Sequence, residues 1–276
     1  MVASKTQYES RLTKAANSVL LEVAHLLQAY SEGLVVVGGS VPGLIFQNSP
    51  ESHIGSIDVD IALDKSKIPE TDYHSIKKLL LNRGYKAEEQ PFTFSREVLF
   101  EGEQIKVKVD FLAGEYGGTG KKHRTQRVQD LHPRKARACD LAFIQTISVQ
   151  ITGELPQGGK DQENVQVASI VPFLMMKAQA LKGRLKEKDA YDIYYCVRQY
   201  PGGHSKLVKA FESFPSNKLI DEGLQILREK FASPDHIGPV FIADFFEETD
   251  RDSREMLQRD AYERITALLE SLGVLE

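Results

Sequence analysis

Asp58 and Asp60 stand two apart in the run Ile57-Asp58-Val59-Asp60-Ile61-Ala62-Leu63, where apolar residues alternate with the acids. On a strand, the two-residue period puts both carboxylates on one face, about 7 Å apart at Cα. Two hard oxygen donors at that spacing can hold Mg²⁺ or Mn²⁺ and leave positions open for phosphate oxygens. The D-x-D pattern alone says little, because a chain of this length carries on the order of one by chance. The sequence contains its own comparison, Asp250-Arg251-Asp252. Flanked by charges, that second pair reads as the N-cap and first-turn acid of an exposed helix. Asp58 and Asp60 differ in being framed by Ile57, Val59 and Ile61, which makes their strand at least half buried. Carboxylates in such a place need compensation, and a cation is the usual one.

Upstream, the β-branched run Leu34-Val35-Val36-Val37 breaks into Gly38-Gly39-Ser40. Backbone N–H groups and a hydroxyl at a strand-to-helix turn can cradle phosphates, although a Gly-Gly-Ser segment by itself is merely a turn. A third acid, Asp110, ends the alternating run Ile105-Lys106-Val107-Lys108-Val109-Asp110. Beside the first pair it would be a metal ligand or the base for an attacking hydroxyl; otherwise it caps the next turn. Further on, Lys177, Ala180 and Arg184 share one helical face with a small residue between two cations, a surface suited to a triphosphate. The competing reading is a solvated basic face with Lys188 and Asp192 paired at i, i+4. His53 reads first as a loop histidine holding the turn before Gly55, and second as a group turned toward the site.

Together these residues resemble the nucleotidyltransferase superfamily, whose signature is a Gly-Gly-Ser-type turn, then D-x-D, then a third acid on a later strand. More narrowly, three segments are similar to the AbiEii/MenT type of toxin-related nucleotidyltransferases: Val36-Val37-Gly38-Gly39-Ser40, then His53-Ile54-Gly55-Ser56-Ile57-Asp58-Val59-Asp60, then Lys177-x-x-Ala180-x-x-x-Arg184 followed by Lys188-Asp189-x-x-Asp192. The likeness spans roughly residues 30 to 200, and its combination is more specific than any piece. It implies Mg²⁺- or Mn²⁺-dependent transfer of a nucleoside monophosphate from an NTP, with pyrophosphate leaving. By position, Asp58 and Asp60 match the metal ligands, with Asp110 as the third acid, either a metal ligand or the base, and Gly39 and Ser40 match the phosphate-binding turn that Gly38 opens. Lys177 matches the lysine that contacts the triphosphate, with Arg184 on the same helical face, and Asp189 matches the acid of the final motif. Ser56 stands where threonine is commoner and Lys188 where arginine is commoner, each keeping its functional class. Gly43, after Pro42, leaves the length of the anion-facing helix open. The resemblance also suggests an RNA acceptor such as a tRNA 3′ end, and an antitoxin protein as partner.

Between Lys121 and Arg137 stand seven Lys or Arg residues, Lys121, Lys122, Arg124, Arg127, Arg134, Lys135 and Arg137, against the single acid Asp130. This run reads either as a solvated face or as a guide for NTP or RNA phosphates, with Lys121, Lys122, Arg124 and Arg127 as nucleic-acid contacts. No aromatic residue is interleaved, so base stacking is not supported there. A formal net charge of -4 over 276 residues excludes a general polyanion binder and confines any such site to a patch. Cys139 and Cys196 lie in apolar surroundings and read as buried free thiols of a reducing compartment. Charges from Lys5 to Glu22 interrupt any leader-like apolar run, and no segment approaches the roughly 20 apolar residues of a membrane helix. The chain therefore reads as soluble and cytoplasmic. Two other classes stay open: a D-x-D nucleotide-sugar glycosyltransferase, and a non-catalytic nucleotide-binding or interaction module.

The elements that must carry these residues follow from periodicity. Helical spacing from Gln7 to Tyr30 ends at Gly33, read as a C-cap with positive φ. A strand over Leu34–Val37 leads to a short helix through Leu44 and Phe46, then the strand Ile57–Leu63 and a helix from Thr71 to Arg83 closed by Gly84. Glu97–Phe100 and Ile105–Phe111 form a hairpin around Glu101–Gln104. Gly114–Gly120 is glycine-rich; Leu141–Ile151 and Val165–Val167 read as strands. After Ser169, helices dominate, including Pro172–Leu185, Asp189–Arg198, Leu219–Phe231 and Ser253–Leu272, the last with the apolar stripe Met256, Leu257, Ala261, Ile265, Leu268 and Leu272. The expected fold is α/β (α+β): a nucleotidyltransferase-type mixed β-sheet with flanking helices over residues 1–160, then a helical C-terminal domain over 161–276 that contributes to the active site. The boundary falls softly near Gly158–Glu163.

Overall fold

The computed structural model describes residues 4–68, 75–115, 128 and 130–275. It divides into two compact units, one of Tyr8–Ile45 and Gly55–Ser169, the other of Met1–Gln7, Phe46–Ile54 and Ile170–Glu276.

The first unit is built on a mixed sheet. Its elements are α1 (Ser10–Leu26), β1 (Leu34–Val37), α2 (Val41–Ile45), β2 (Val59–Leu63), α3 (Ile76–Asn82), β3 (Lys86–Ala87), β4 (Thr93–Phe100), β5 (Glu103–Ala113), β6 (Arg134–Lys135), β7 (Thr146–Glu154) and β8 (Lys160–Ala168). The strand order is β3-β4-β5-β2-β1-β8-β7, with β6 beside β5. The β2–β5 and β1–β8 pairs are parallel, and β1–β2, β4–β5 and β7–β8 are antiparallel. Val59, Ile61, Val107, Val109 and Phe111 are buried on one face. α1 covers that face: Arg96, paired with Val107, reaches Glu22 of α1 at 3.0 Å. Glu22 is only 1% exposed, and its charge is balanced by Arg96 and by Arg83 at 2.7 Å, with a further bond from the Tyr85 hydroxyl.

Several boundaries differ from the sequence reading. The first helix stops at Leu26, and Gln28–Gly33 is a 3-10 turn that buries Tyr30. Gly33 is not a positive-φ cap; a Cβ there would come within 2.6 Å of the Ile68 side chain, so close approach selects glycine. β2 begins at Val59, and Asp58 sits in the bend before it, because β1 leaves the ladder at Val37, opposite Asp60. Cys139–Phe143 is a 3-10 turn entered from Ala138 at φ 66, and the strand starts only at Thr146. Short apolar runs do not distinguish strand from turn. β8 is longer than expected because its polar half, Lys160–Asn164, hides the alternation. The first residues of the helix expected over Thr71–Arg83 lie outside the described residues; Ser75 caps α3 by accepting the Lys78 N–H, and Gly84 closes it at φ 91. The β4–β5 hairpin turns on Glu101 and Gly102, at φ 50 and 85.

The second unit is helical: α4 (Ile170–Arg184), α5 (Glu187–Gln199), α6 (Gly203–Glu212), α7 (Lys218–Lys230), α8 (Ile237–Phe245) and α9 (Arg251–Ser271). α6 and α8 had not been singled out in the sequence. α5 is buried from Glu187 to Val197 and packs against α4, α8 and α9. Pro172 falls in the first turn of α4, where a missing N–H costs nothing. In α9, Ala261, Ile265 and Leu268 are buried, but Met256, assigned to the same stripe, is 72% exposed near the helix start. Both cysteines are free and buried, as expected. Among the described residues, no helix is long and apolar enough to cross a membrane.

Candidate active site

In the first unit, strand register gathers the acids. Asp60 of β2 lies beside Asp110 of β5 in a parallel pair, and Val37 of β1 lies opposite Asp60 on the other side. Adjacent strands are roughly 4.8 Å apart, so the two half-buried carboxylates are immediate neighbours on the face away from α1. Thr93, the first residue of β4, pairs with Asp110, and its hydroxyl donates to Asp110 Oδ1 at 2.5 Å. Asp58 stands half buried just outside the strand, its N–H donating to Ser56 Oγ at 3.4 Å.

Gly38-Gly39-Ser40 forms a 3-10 turn between β1 and α2, with Gly39 and Ser40 buried. Gly38 has φ 71, and a Cβ built on it would collide with the Asp60 carboxylate. Backbone therefore closes directly onto the acid, in space that any side chain would fill. Hard carboxylate oxygens on adjacent strands, as at Asp60 and Asp110, suit a divalent cation of the Mg²⁺ or Mn²⁺ kind.

In the second unit, the residues of the later motif also meet, in a buried ion network. Lys177 Nζ lies 2.9 Å from Asp189 Oδ1 and 2.7 Å from Asp192 Oδ2, and both carboxylates are 0% exposed. Arg184 clasps Asp189 through Nε and Nη2, each at 2.7 Å, and keeps about half of its side chain exposed. Lys188 pairs with Asp192. That pair has the i, i+4 spacing anticipated for a solvated face, but it is buried. His53 joins the network through Nε2 to Asp192 Oδ1 at 2.8 Å, rather than merely holding its turn. Burial pulls the Lys177 ammonium down, yet Asp192 and Asp189 outweigh it and hold it above a free lysine. Burial likewise opposes ionisation of Asp192, but Lys177 and Lys188 keep it well below the usual carboxylate range.

Thr93 was not singled out from sequence, whereas Lys188 stood in the later motif and His53 had only a second reading toward the site. No local pattern marks Thr93, because its role depends on strand pairing. The spacing of Asp189 and Asp192 was the available signal for the buried network, since i and i+3 share a helix face. Of the basic stretch, Lys121, Lys122, Arg124 and Arg127 lie outside the described residues. Arg134 lies over the Phe92 ring at 5.7 Å, and Arg137 pairs with Glu115 at 2.6 Å.

A second acid-containing cluster occupies the α1 side of the sheet. His25 Nδ1 lies 2.9 Å from Asp161 Oδ2 and 3.0 Å from Glu163 Oε1. Among the described residues, this trio brings its ligand atoms within 4.8 Å of one another and could hold a metal ion. Asp60 and Asp110 face the other way, so the sheet separates the two acid sets.

Among solved structures, the chain is similar to MenT4, a nucleotidyltransferase toxin from Mycobacterium tuberculosis. The identity is 13% and the TM-score 0.40, over 98% of this chain and 92% of that one. No family model matches the sequence, and no curated protein matches it.

Proposed function

We propose that this protein is a Mg²⁺- or Mn²⁺-dependent nucleotidyltransferase that moves a nucleoside monophosphate from an NTP to an acceptor hydroxyl. The observation that supports it most is the register that sets Asp60 beside Asp110 under the closed backbone of Gly38. In this reading Asp58 and Asp60 would hold the cation, which when bound would supply positive charge against the negative charge that builds on the phosphate oxygens. Backbone N–H groups of Gly38 and Gly39 and the Ser40 hydroxyl hold phosphate oxygens. Thr93 fixes one oxygen of Asp110, leaving the other for the cation or for the acceptor proton. The acceptor oxygen forms a bond to the α-phosphorus, the bond from that phosphorus to the β-bridging oxygen breaks, and pyrophosphate departs. Asp189 positions Lys177 and Arg184, which we assign to the triphosphate. The acceptor is an RNA, a tRNA 3′ end first among candidates, drawn by the Lys121–Arg137 run. The protein acts in the cytoplasm, with an antitoxin as its protein partner.

The test is incubation with each labelled NTP, Mg²⁺ and total tRNA, with a UDP-sugar series in parallel. Label is expected in RNA, and Asp60→Asn is expected to cut transfer by about a hundredfold or more while the fold persists. Transfer from a UDP-sugar, or Asp60→Asn at wild-type rate, would overturn the reading. Label in a protein or small molecule would move the acceptor alone.

A further inference from the structure

β7 is an edge of the sheet: β8 lies on one side of it, and among the described residues no strand lies on the other. The opposite edge is guarded, since β3 has only two residues and one of them is Lys86. β7 runs for nine residues, Thr146–Glu154, with no proline and no charge before Glu154. Its register with β8 is unbroken from end to end, so no bulge turns the edge away. Short length, charge, proline and bulges are the devices that keep an edge from pairing, and β7 has none of them along Thr146–Gly153. At its start, Ile144 and Ile147 are 47% and 41% exposed.

The phase of the ladder decides which backbone groups face outward. The Ser169 N–H donates to the Gln145 carbonyl at 3.2 Å, and the Leu155 N–H donates to the Gly159 carbonyl at 2.9 Å. Both bonds continue the β7–β8 register, so the odd-numbered residues of β7 bond β8. The N–H and C=O groups of Thr146, Ser148, Gln150, Thr152 and Glu154 therefore point away from it. The Ser18 hydroxyl donates to the Glu154 carbonyl at 2.6 Å. Those of Ser148, Gln150 and Thr152 make no bond among the described residues.

About Gln150 the strand reads alike in both directions: Val149 mirrors Ile151, and Ser148 mirrors Thr152. Gln150 itself is neutral, as a residue that must face its own copy needs to be. We propose that β7 pairs antiparallel with β7 of a second copy of this chain, about a two-fold axis at Gln150. Ser148, Gln150 and Thr152 then exchange about six backbone hydrogen bonds across the axis. Val149 of each copy meets Ile151 of the other in the closer, non-hydrogen-bonded pairs, on the face where Gly153 borders Leu21 of α1. Ile147 falls opposite Gly153, where no side chain competes for the space. One isologous contact thus satisfies the open backbone of both copies, and it stands independently of the transfer reaction.

The test is sedimentation of the full chain over a series from micromolar to near-millimolar concentration. The interface is small, so a dimer is expected to fill in through the tens of micromolar. Gln150→Lys and Gln150→Glu, at an exposed position, are each expected to weaken self-association by about tenfold or more. Their unfolding midpoints in dilute solution are expected to match the wild type. An equimolar mixture of the two is expected to restore the dimer, because opposite charges then meet on the axis. Gln150→Cys is expected to cross-link between copies with a short bis-maleimide, since Cys139 and Cys196 are buried. Asn164→Cys, its neighbour on β8, is expected not to reach its own copy. A dimer that survives either charge, a mixture no better than its parts, or equal cross-linking from Asn164→Cys overturns the proposal. A monomer throughout the series also overturns it and leaves the edge to a strand of another protein.

Discussion

Gly38 carries two constraints at one position, a positive φ and contact with the Asp60 carboxylate. Alanine there adds backbone strain and pushes Asp60 aside. Gly38→Ala is expected to lower stability by about 1–2 kcal/mol and nucleotide transfer by more than tenfold. Denaturant unfolding and a transfer assay on the same preparation separate the two effects. A variant with full transfer would show that Asp60 does not need its present position. Lys177 illustrates a different kind of residue. The sequence presents it as a cation on a helix face, yet its ammonium is shared between two fully buried carboxylates. Removing it would leave buried charge uncompensated, so its loss acts on folding as well as on any bound triphosphate.

At the scale of elements, the two D-x-D pairs separate by context. Asp250 is the N-cap of α9, accepting the Ser253 N–H at 2.9 Å, and Asp252 lies in the first turn, as flanking charge implied. Asp250→Ala is expected to lower the melting temperature slightly and to leave transfer unchanged; a lost activity would break the distinction from Asp60. The β4–β5 hairpin holds Thr93 and Asp110 in register, and its two-residue turn forces Glu101 to φ 50. Asparagine tolerates that conformation better, so Glu101→Asn is expected to stabilise the chain by about 0.5 kcal/mol in denaturant unfolding. An unchanged or lower midpoint would mean that Glu101 makes compensating contacts.

At the scale of the whole molecule, the buried network links folding to pH. His53 is fully buried; burial first, then the charge of Lys188, lowers its pKa to about 4 against the pull of Asp192. An unfolded histidine titrates near 6.5. Between those values the unfolded chain takes up a proton that folded His53 refuses. Its contribution is therefore complete above pH 6.5 and falls as pH drops, by about 3 kcal/mol at pH 4. Asp192 has a depressed pKa, so its share persists above 3.8 and is lost as the pH falls further. Urea midpoints are expected to be flat above pH 7 and to decline from 6.5 to 4, with His53→Gln removing most of that decline. An equally steep decline in the variant would show that His53 is not the group responsible.

Local pattern determined much of this protein. The Gly-Gly-Ser turn after a β-branched run, the strand behind Asp60, the hairpin, the buried thiols and the long helices all express periods or turn residues confined to a few positions. Where that grammar was ambiguous, at Leu141–Phe143 or the polar half of β8, the boundaries moved. Tertiary structure alone decided which distant residues meet. Asp60 and Asp110 are neighbours because β2 and β5 pair in parallel, Thr93 reaches Asp110 because β4 returns beside β5, and His53 reaches Asp192 across 139 residues. The same holds for Lys177, whose helical spacing gives a face but not what covers it. Pairing register and burial arise from segments far apart in the chain, and no period of 2 or 3.6 residues encodes them.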